Sequence, residues 1–262
     1  MMRSLDIAAT GVQAQQLFVD VISQNLSNIN TTGYKLQRPE FQDLLYQDLR
    51  RVGANSSDSG TIVPTGIQLG LGVKVGSIYR NTNAGALQNT QGTLDLAIQG
   101  RGYFQVQLPS GEIAYTRSGT FQLSATGELV TADGFALQPT ITIPQNATAI
   151  SIDKSGEVFV TITGQVAPQN VGQLQLANFL NEGGLQATGD NLYLQTPASG
   201  APITGIANTE GFGAILQGFL ESSNVDPVTE ITNLIRAQRA YEFNTQVISK
   251  SDQMMQTLNQ VQ

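Results

Sequence analysis

Residues 226–258 read DPVTEITNLIRAQRAYEFNTQVISKSDQMMQTL. Leu234, Tyr241, Ile248 and Met255 recur every seven residues, and Ala237, Asn244, Ser251 and Leu258 follow each of them by three. That is the a/d pattern of a helix that lays one seam against another helix. Ile231, Ile235, Ala240, Val247 and Met254 widen the apolar face on both sides. The start is signalled locally. The Asp226 carboxylate can accept hydrogen bonds from the first free amides, and Pro227 at the first helical position gives up only an N–H that would be unpaired anyway. Glu230 in the first turn suits the positive end of the helix dipole. At about 1.5 Å per residue, the spacing predicts a rod roughly 50 Å long.

The other end of the chain repeats the device. Leu5, Val12, Val19 and Leu26 fall at one heptad position, and Ala8, Gln15, Ile22 and Ile29 at the other. Two long heptad helices therefore enclose the rest of the protein. They can staple to each other as a hairpin, or share a coiled coil with neighbouring copies. The polar face favours the second. Gln13, Gln16, Gln24, Asn25, Ser27 and Asn28 stand where a solvated helix normally carries Lys and Glu. Uncharged polar groups cost less to bury between neighbours than charges do.

The 262 residues suffice for one large domain or two small ones plus the helices. Only 13% are charged and the net charge is -7. A low-charge, acidic chain argues against nucleic acid, which calls for clustered Lys and Arg. Its bias toward Gln, Asn, Ser, Thr and Gly suggests a surface largely covered by other subunits. Cysteine and histidine are both absent, which removes disulfides, thiolate sites and imidazole ligands. No apolar run reaches the roughly 18 residues of a membrane span, so no membrane insertion is expected. Thr10, Gly11, Gln13, Gln15 and Gln16 interrupt any signal-peptide core, so export would use a route without a cleaved leader.

Between the helices the pattern changes. The first helix is expected to end in NLSNINTTGYK, residues 25–35, where Asn28, Asn30, Thr31 and Thr32 compete through their own side chains and Gly33 can turn left-handed. Residues 39–50 carry Phe41, Leu44, Leu45 and Leu49, a spacing that suits one or two helical turns. Residues 50–66 are rich in Gly, Ser and Asn and read as a loop. From Ile67 to Leu220 short alternating runs predict strands, among them LDLAIQ, YFQVQL, VFVTI and LYLQ. Gly111, Gly127 and Gly156 each sit in a Ser/Thr-Gly-Glu joint that suits a three-residue hairpin, and Asp133-Gly134 is a fourth turn signal. With no helical pattern intervening, an antiparallel body follows, and the fold class is α+β. The expected division is 1–35 with 225–262 as a helical domain, 36–66 as a connecting segment and 67–224 as a β-rich body.

No chemistry stands out. Asp95, Glu112, Glu128, Asp133, Asp153 and Glu157 fall mostly in turns, where acidic residues serve local hydrogen bonding. Gly100-Arg101-Gly102-Tyr103 precedes a strand and lacks the lysine of a phosphate loop. Arg236 and Arg239 suit pairing with acidic neighbours. The residues predict no catalytic, metal or cofactor site.

Two end motifs carry a resemblance. NLSNINTTGYK, with Asn25, Asn28, Thr32, Gly33 and Tyr34, closely resembles the N-terminal signature of bacterial flagellar rod and hook proteins. Residues 223–261 resemble the C-terminal one, with Asn224, Val225 and Glu230, then Gln238, Arg239, Ala240, Tyr241 and Glu242, then Asp252, Met254 and Leu258. LDLAIQGRGYFQV, residues 94–106, and residues 114–139 are also similar to this family. The chain length and residues 46–64 resemble the distal part of the rod, with a hook or proximal rod subunit as the alternative. The resemblance implies a helical homo-oligomer, a rigid hollow tube of packed terminal helices with the β body outside. It would transmit torque, enclose the export channel and span the periplasm. Implied partners are the proximal rod proteins, the hook protein, the periplasmic and outer-membrane ring proteins, and the flagellar type III export apparatus. Its assembly seam would comprise Leu5, Val12, Val19, Ile22, Leu26, Ile29, Ile231, Leu234, Tyr241, Ile248, Met255 and Leu258. A secreted glycan-binding β-sandwich would explain the middle without the ends. A cell-wall hydrolase would need a carboxylate pair that no spacing supplies.

Overall fold

The computed structural model describes residues 2–50, 65–164 and 167–261. Residues 51–64, most of the stretch compared above with the distal rod, lie outside the described residues. Two helices close the chain at either end, α1 (Met2–Ser27) and α2 (Pro227–Val261), and everything described between them is strand, turn or loop apart from one short 3-10 turn. The fold is α+β.

The chain divides into two units. The first holds residues 1–26, 37–79 and 226–262. It contains both helices and four strands, β1 (Gln37–Asp43), β2 (Tyr46–Arg50), β3 (Ile67–Gly70) and β4 (Val73–Arg80), the last ending at the unit's edge. β1 pairs with β4, and β2 pairs antiparallel with β3, Tyr46 opposite Gly70. The helical turns expected over residues 39–50 are therefore strands. The i, i+3, i+4 spacing of Phe41, Leu44 and Leu45 is satisfied differently. Phe41 meets Phe18 of α1 edge to face, ring centroids 6.1 Å apart, while the backbone finds ladder partners in β4 and β3. Partners distant in sequence override local periodicity in so short a segment.

The second unit holds residues 27–36 and 80–225. Its main sheet has nine strands. Along its path lie Gln186–Gly189, Leu192–Leu194, Ile113–Thr116, Tyr103–Gln107, Ala136–Gln138, Leu129–Val130 and Gln122–Leu123; Gln175–Asn178 branches from Tyr103–Gln107, and Ile203–Ile206 pairs with Gln175–Asn178. Ala147–Ile152, Glu157–Ile162 and Gln169–Gln173 form a three-stranded sheet. Ala214–Gln217 pairs with Leu96–Gln99, and Phe219–Glu221 with Leu87–Asn89. The described ladders of this unit run antiparallel, as the turn density predicts.

The turn chemistry explains the meander. Leu108, Ser124, Thr131 and Asp153 each donate an N–H to the carbonyl four residues on and accept one from the residue three on, at 2.8 to 3.0 Å. The fourth residue of every copy is glycine, Gly111, Gly127, Gly134 or Gly156, with φ between +80° and +87°. That left-handed position at the end of a three-residue loop is the one the Ser/Thr-Gly-Glu joints were expected to supply.

The strand Tyr103–Gln107 is buried on both faces because it divides two apolar clusters. Phe104 and Val106 face the larger one, with Leu96, Ile98, Leu129, Leu137, Val158, Leu176 and Ile215. Phe104 meets Phe121 with ring centroids 5.2 Å apart. Tyr103 belongs to the other, aromatic cluster, with Tyr115, Phe179 and Tyr193. Tyr115 and Phe179 touch edge to face at 4.7 Å. Alternation along the strand sends neighbouring aromatic rings into separate cores.

Candidate functional site

In the first unit the two helices run antiparallel in a fixed register. The hydroxyls of Ser4 and Ser251 lie 3.4 Å apart. Seven residues on, a Cβ added to Gly11 would fall 2.9 Å from the side-chain nitrogen of Asn244, seven residues back. Fourteen further on, the amide of Asn25 donates to Glu230 Oε2 at 3.0 Å, fourteen further back. Ala237, in the middle of that series on α2, is 1% exposed. Small or amide side chains at these steps permit close approach.

The N-terminal end of α2 is built around this contact. Asp226 accepts from the amides of Val228 at 3.4 Å and Thr229 at 3.2 Å, and from the Thr229 hydroxyl. Those bonds, the hydroxyl first, hold the Asp226 carboxyl below its ordinary range. Glu230 is buried, not merely adjacent to the dipole. It accepts from Asn25, which also pairs with the Gln37 backbone, donating to its carbonyl at 2.8 Å and accepting from its amide at 3.0 Å. Asn25 thus imitates a strand neighbour for the start of β1, a job for which a carboxamide carries both needed groups.

The sequence-predicted seam residues are spread over two environments. Ile22 is buried, and Leu5, Val12, Val19, Leu26, Ile29, Leu234, Ile248 and Met255 are half-buried. Ile231 and Tyr241 are exposed. The side chain of Leu258 lies outside the described residues. Val228, Ile231 and Ile235 make an apolar patch on α2, roughly opposite Glu230 and Ala237 at 100° per residue, and Ile235 is 53% exposed. Val19 of α1 and Tyr241 of α2 line a shared groove with Gln16, Gln238 and Glu242.

The second unit holds a buried charge cluster that the sequence reading passed over. Lys35 and Arg117 converge on Glu221, and the three side chains are 2%, 4% and 1% exposed. Lys35 Nζ donates to Glu221 Oε1 at 2.6 Å and to the Asn83 carbonyl at 2.9 Å. Arg117 Nε stands 3.3 Å from Glu221 Oε2, while its two terminal nitrogens donate to the carbonyls of Gly102 at 2.7 Å and Gly100 at 2.8 Å. Gly85 donates its amide to Glu221 Oε1 at 2.9 Å, and Gly33 donates to the Glu221 main-chain carbonyl at 2.8 Å. Burial pushes the Lys35 pKa down, against the pull of Glu221. Gly33 has φ +71°, and a Cβ there would meet the Arg117 backbone at 2.8 Å. The signature glycine therefore does more than end a helix.

Asn224 adds a second tier. Its Oδ1 accepts from Leu36 N–H at 2.7 Å, and its Nδ2 donates to the carbonyls of Asn81 and Asn83, both at 3.0 Å. Nearby, Tyr103 donates its hydroxyl to Glu182 at 3.0 Å, and burial followed by that carboxylate pushes its pKa far up. Among the signature residues, Asn25 thus falls in the first unit and Gly33, Tyr34 and Asn224 in the second; Asn25, Gly33 and Asn224 each have a distinct structural task, and Tyr34 is buried. Gln238 and Arg239 are exposed on α2. A signal for the charge cluster was present: in a chain with so few charges, Arg117 and Glu221 interrupt apolar strand text at YTRSG and GFLESS.

Among the described residues no group of acidic side chains could hold a metal ion, and no helix is long and apolar enough to cross a membrane.

The ends and the middle each match a known description. Residues 5–35 match "Flagella basal body rod protein", residues 97–160 "Flagellar hook protein FlgE/F/G D1 domain", and residues 216–261 "Flagellar basal body rod FlgEFG protein C-terminal". The flagellar basal-body rod protein FlgG of Caulobacter vibrioides is 59% identical over 99% of both chains. Its counterparts in Agrobacterium fabrum, covering 97% of both chains, and Bacillus subtilis, covering 98%, are 48% and 39% identical. With such identity carried from one terminus to the other, the chain belongs to the family of flagellar basal-body rod proteins.

Proposed function

We propose that this protein is the structural subunit of the distal rod of the flagellar basal body, not an enzyme, and that many copies polymerise into a hollow, rigid tube. The observation that carries the reading is end-to-end identity with basal-body rod proteins, 59% over 260 residues in one relative. The two faces of α2 support the mode of assembly. One face engages α1 of the same chain through Ala237, Asn244 and Ser251. The patch of Val228, Ile231 and Ile235 is left for neighbouring copies, which would extend the pair into a coiled-coil-like inner tube.

In this reading the tube transmits motor torque to the hook and encloses the export channel. Its neighbours are the proximal rod proteins below, the hook protein above, and the periplasmic and outer-membrane ring proteins around it. The subunit reaches its place across the periplasm through the flagellar type III export apparatus. The seam would use Leu5, Val12, Val19, Leu26, Leu234, Ile248 and Met255, which are half-buried within one chain and can be covered further by another.

The test is complementation. The gene, carrying a short epitope tag, is expressed in cells that lack their own distal rod subunit, and purified basal bodies are imaged with a gold label. Label along the rod and restored swimming are expected. Complete rods without label, or label confined to the hook, would overturn the reading.

A further inference from the structure

The chain passes between the helical unit and the body at four places, at residues 26/27, 36/37, 79/80 and 225/226. Three of these passages are tied to one another inside the body, within a few residues of where they leave it. Asn81 donates its N–H to the Leu36 carbonyl at 2.8 Å. Asn224, two residues before the last passage, accepts from Leu36 and donates to Asn81 and Asn83. Lys35 donates to the same Asn83 carbonyl and hands its charge to Glu221. Two tiers, one of carboxamide and one of buried charge, meet on one oxygen.

We propose that Asn224, backed by Glu221, is the positioning residue of a joint that gathers these passages, so that force entering through one terminal helix is shared among three backbone segments of the body. The inference rests on the rod reading above. The side chain suits the task closely. Its carbonyl takes one amide and its two N–H groups serve two carbonyls, which uses every donor it has. Aspartate has the same shape and no donors, so it would face the Asn81 and Asn83 carbonyls with a charge. Glutamine would overreach by a methylene. A joint of this kind differs from ordinary core packing because its loss need not unfold the body. It frees the three backbone segments from one another where they leave the body.

The full-length chain is expressed in cells lacking their own subunit, as wild type, as Asn224→Asp, and as Val158→Ala. Val158 is fully buried in the body core, away from the joint. The thermal midpoint of each purified chain is measured alongside swimming speed in buffer and in viscous medium. Asn224→Asp is expected to lower the midpoint no more than Val158→Ala does, yet to lose more than half of its swimming speed under viscous load, while Val158→Ala keeps pace with wild type. Should Asn224→Asp fold poorly, Asn224→Ala removes the same three bonds without adding charge. The inference falls if the Asn224 variants swim like wild type under load, or if Val158→Ala fails to the same extent at an equal midpoint. Failure of the wild-type chain to restore rods strikes the rod reading itself and the inference with it.

Discussion

Glu221 supplies one carboxylate to two buried cations. A buried pair is a weak source of net stability, but removing one partner strands the other in low dielectric. Glu221→Gln should therefore destabilise the body by about 3–5 kcal/mol, read from the denaturant midpoint of the monomer. Asp226 gives the complementary case at the surface. Its carboxyl is held below the ordinary range by Thr229 and Val228, so its stabilising effect on α2 is complete above the unfolded carboxylate range and is lost as pH falls through its own lowered value. Helical circular dichroism should decline over that acid window, and Asp226→Asn, which caps without titrating, should remove that part of the decline. Of these two sites only the cap was legible in the sequence. Its partners lie two and three residues away, whereas the partners of Glu221 lie in segments brought together only by folding.

At the level of elements, the two faces of α2 make opposite predictions. Ile235 is exposed in the chain, so Ile235→Asp should leave the monomer's midpoint within about 0.5 kcal/mol of wild type. The same change would place a charge in the proposed inter-subunit contact and should abolish rods in electron micrographs of basal bodies. Normal rods would show that this patch faces solvent. The hairpin turns separate two costs that glycine avoids. A Cβ at Gly111 meets nothing within 4 Å, whereas one at Gly156 would lie 2.8 Å from the Leu174 carbonyl. Gly111→Ala should cost about 1–2 kcal/mol, the strain of a left-handed residue alone, and Gly156→Ala distinctly more, as denaturant midpoints would report. Turns of this kind were readable because a glycine at a fixed offset within a few residues specifies them. The strands at Gln37–Asp43 and Tyr46–Arg50 were not, because their apolar spacing fits a helix and only their ladder partners, some 20 to 40 residues on, decide otherwise.

For the molecule as a whole, class and antiparallel character followed from alternation and turn density, while the order of strands did not. Gln175–Asn178 sits beside Tyr103–Gln107, about 70 residues earlier in the chain, and no local pattern announces that pairing. The joint takes such distance further. Lys35 and Glu221 are 186 residues apart, and Leu36 and Asn224 are 188. Contacts of this separation close late, because the loop entropy is lost before they return anything. A chain delivered amino end first therefore lacks the carboxylate that Lys35 and Arg117 share until Glu221 arrives, with nearly the whole body already through. A chain ending at Leu220 should lack the near-ultraviolet dichroism of its packed tyrosines, and one extended to Val225 should regain it. Equal spectra would mean that the body closes without its last five residues. On that expectation the subunit would be its own length gauge: an incomplete copy would stay open and pliable, and only a chain delivered past residue 221 would lock.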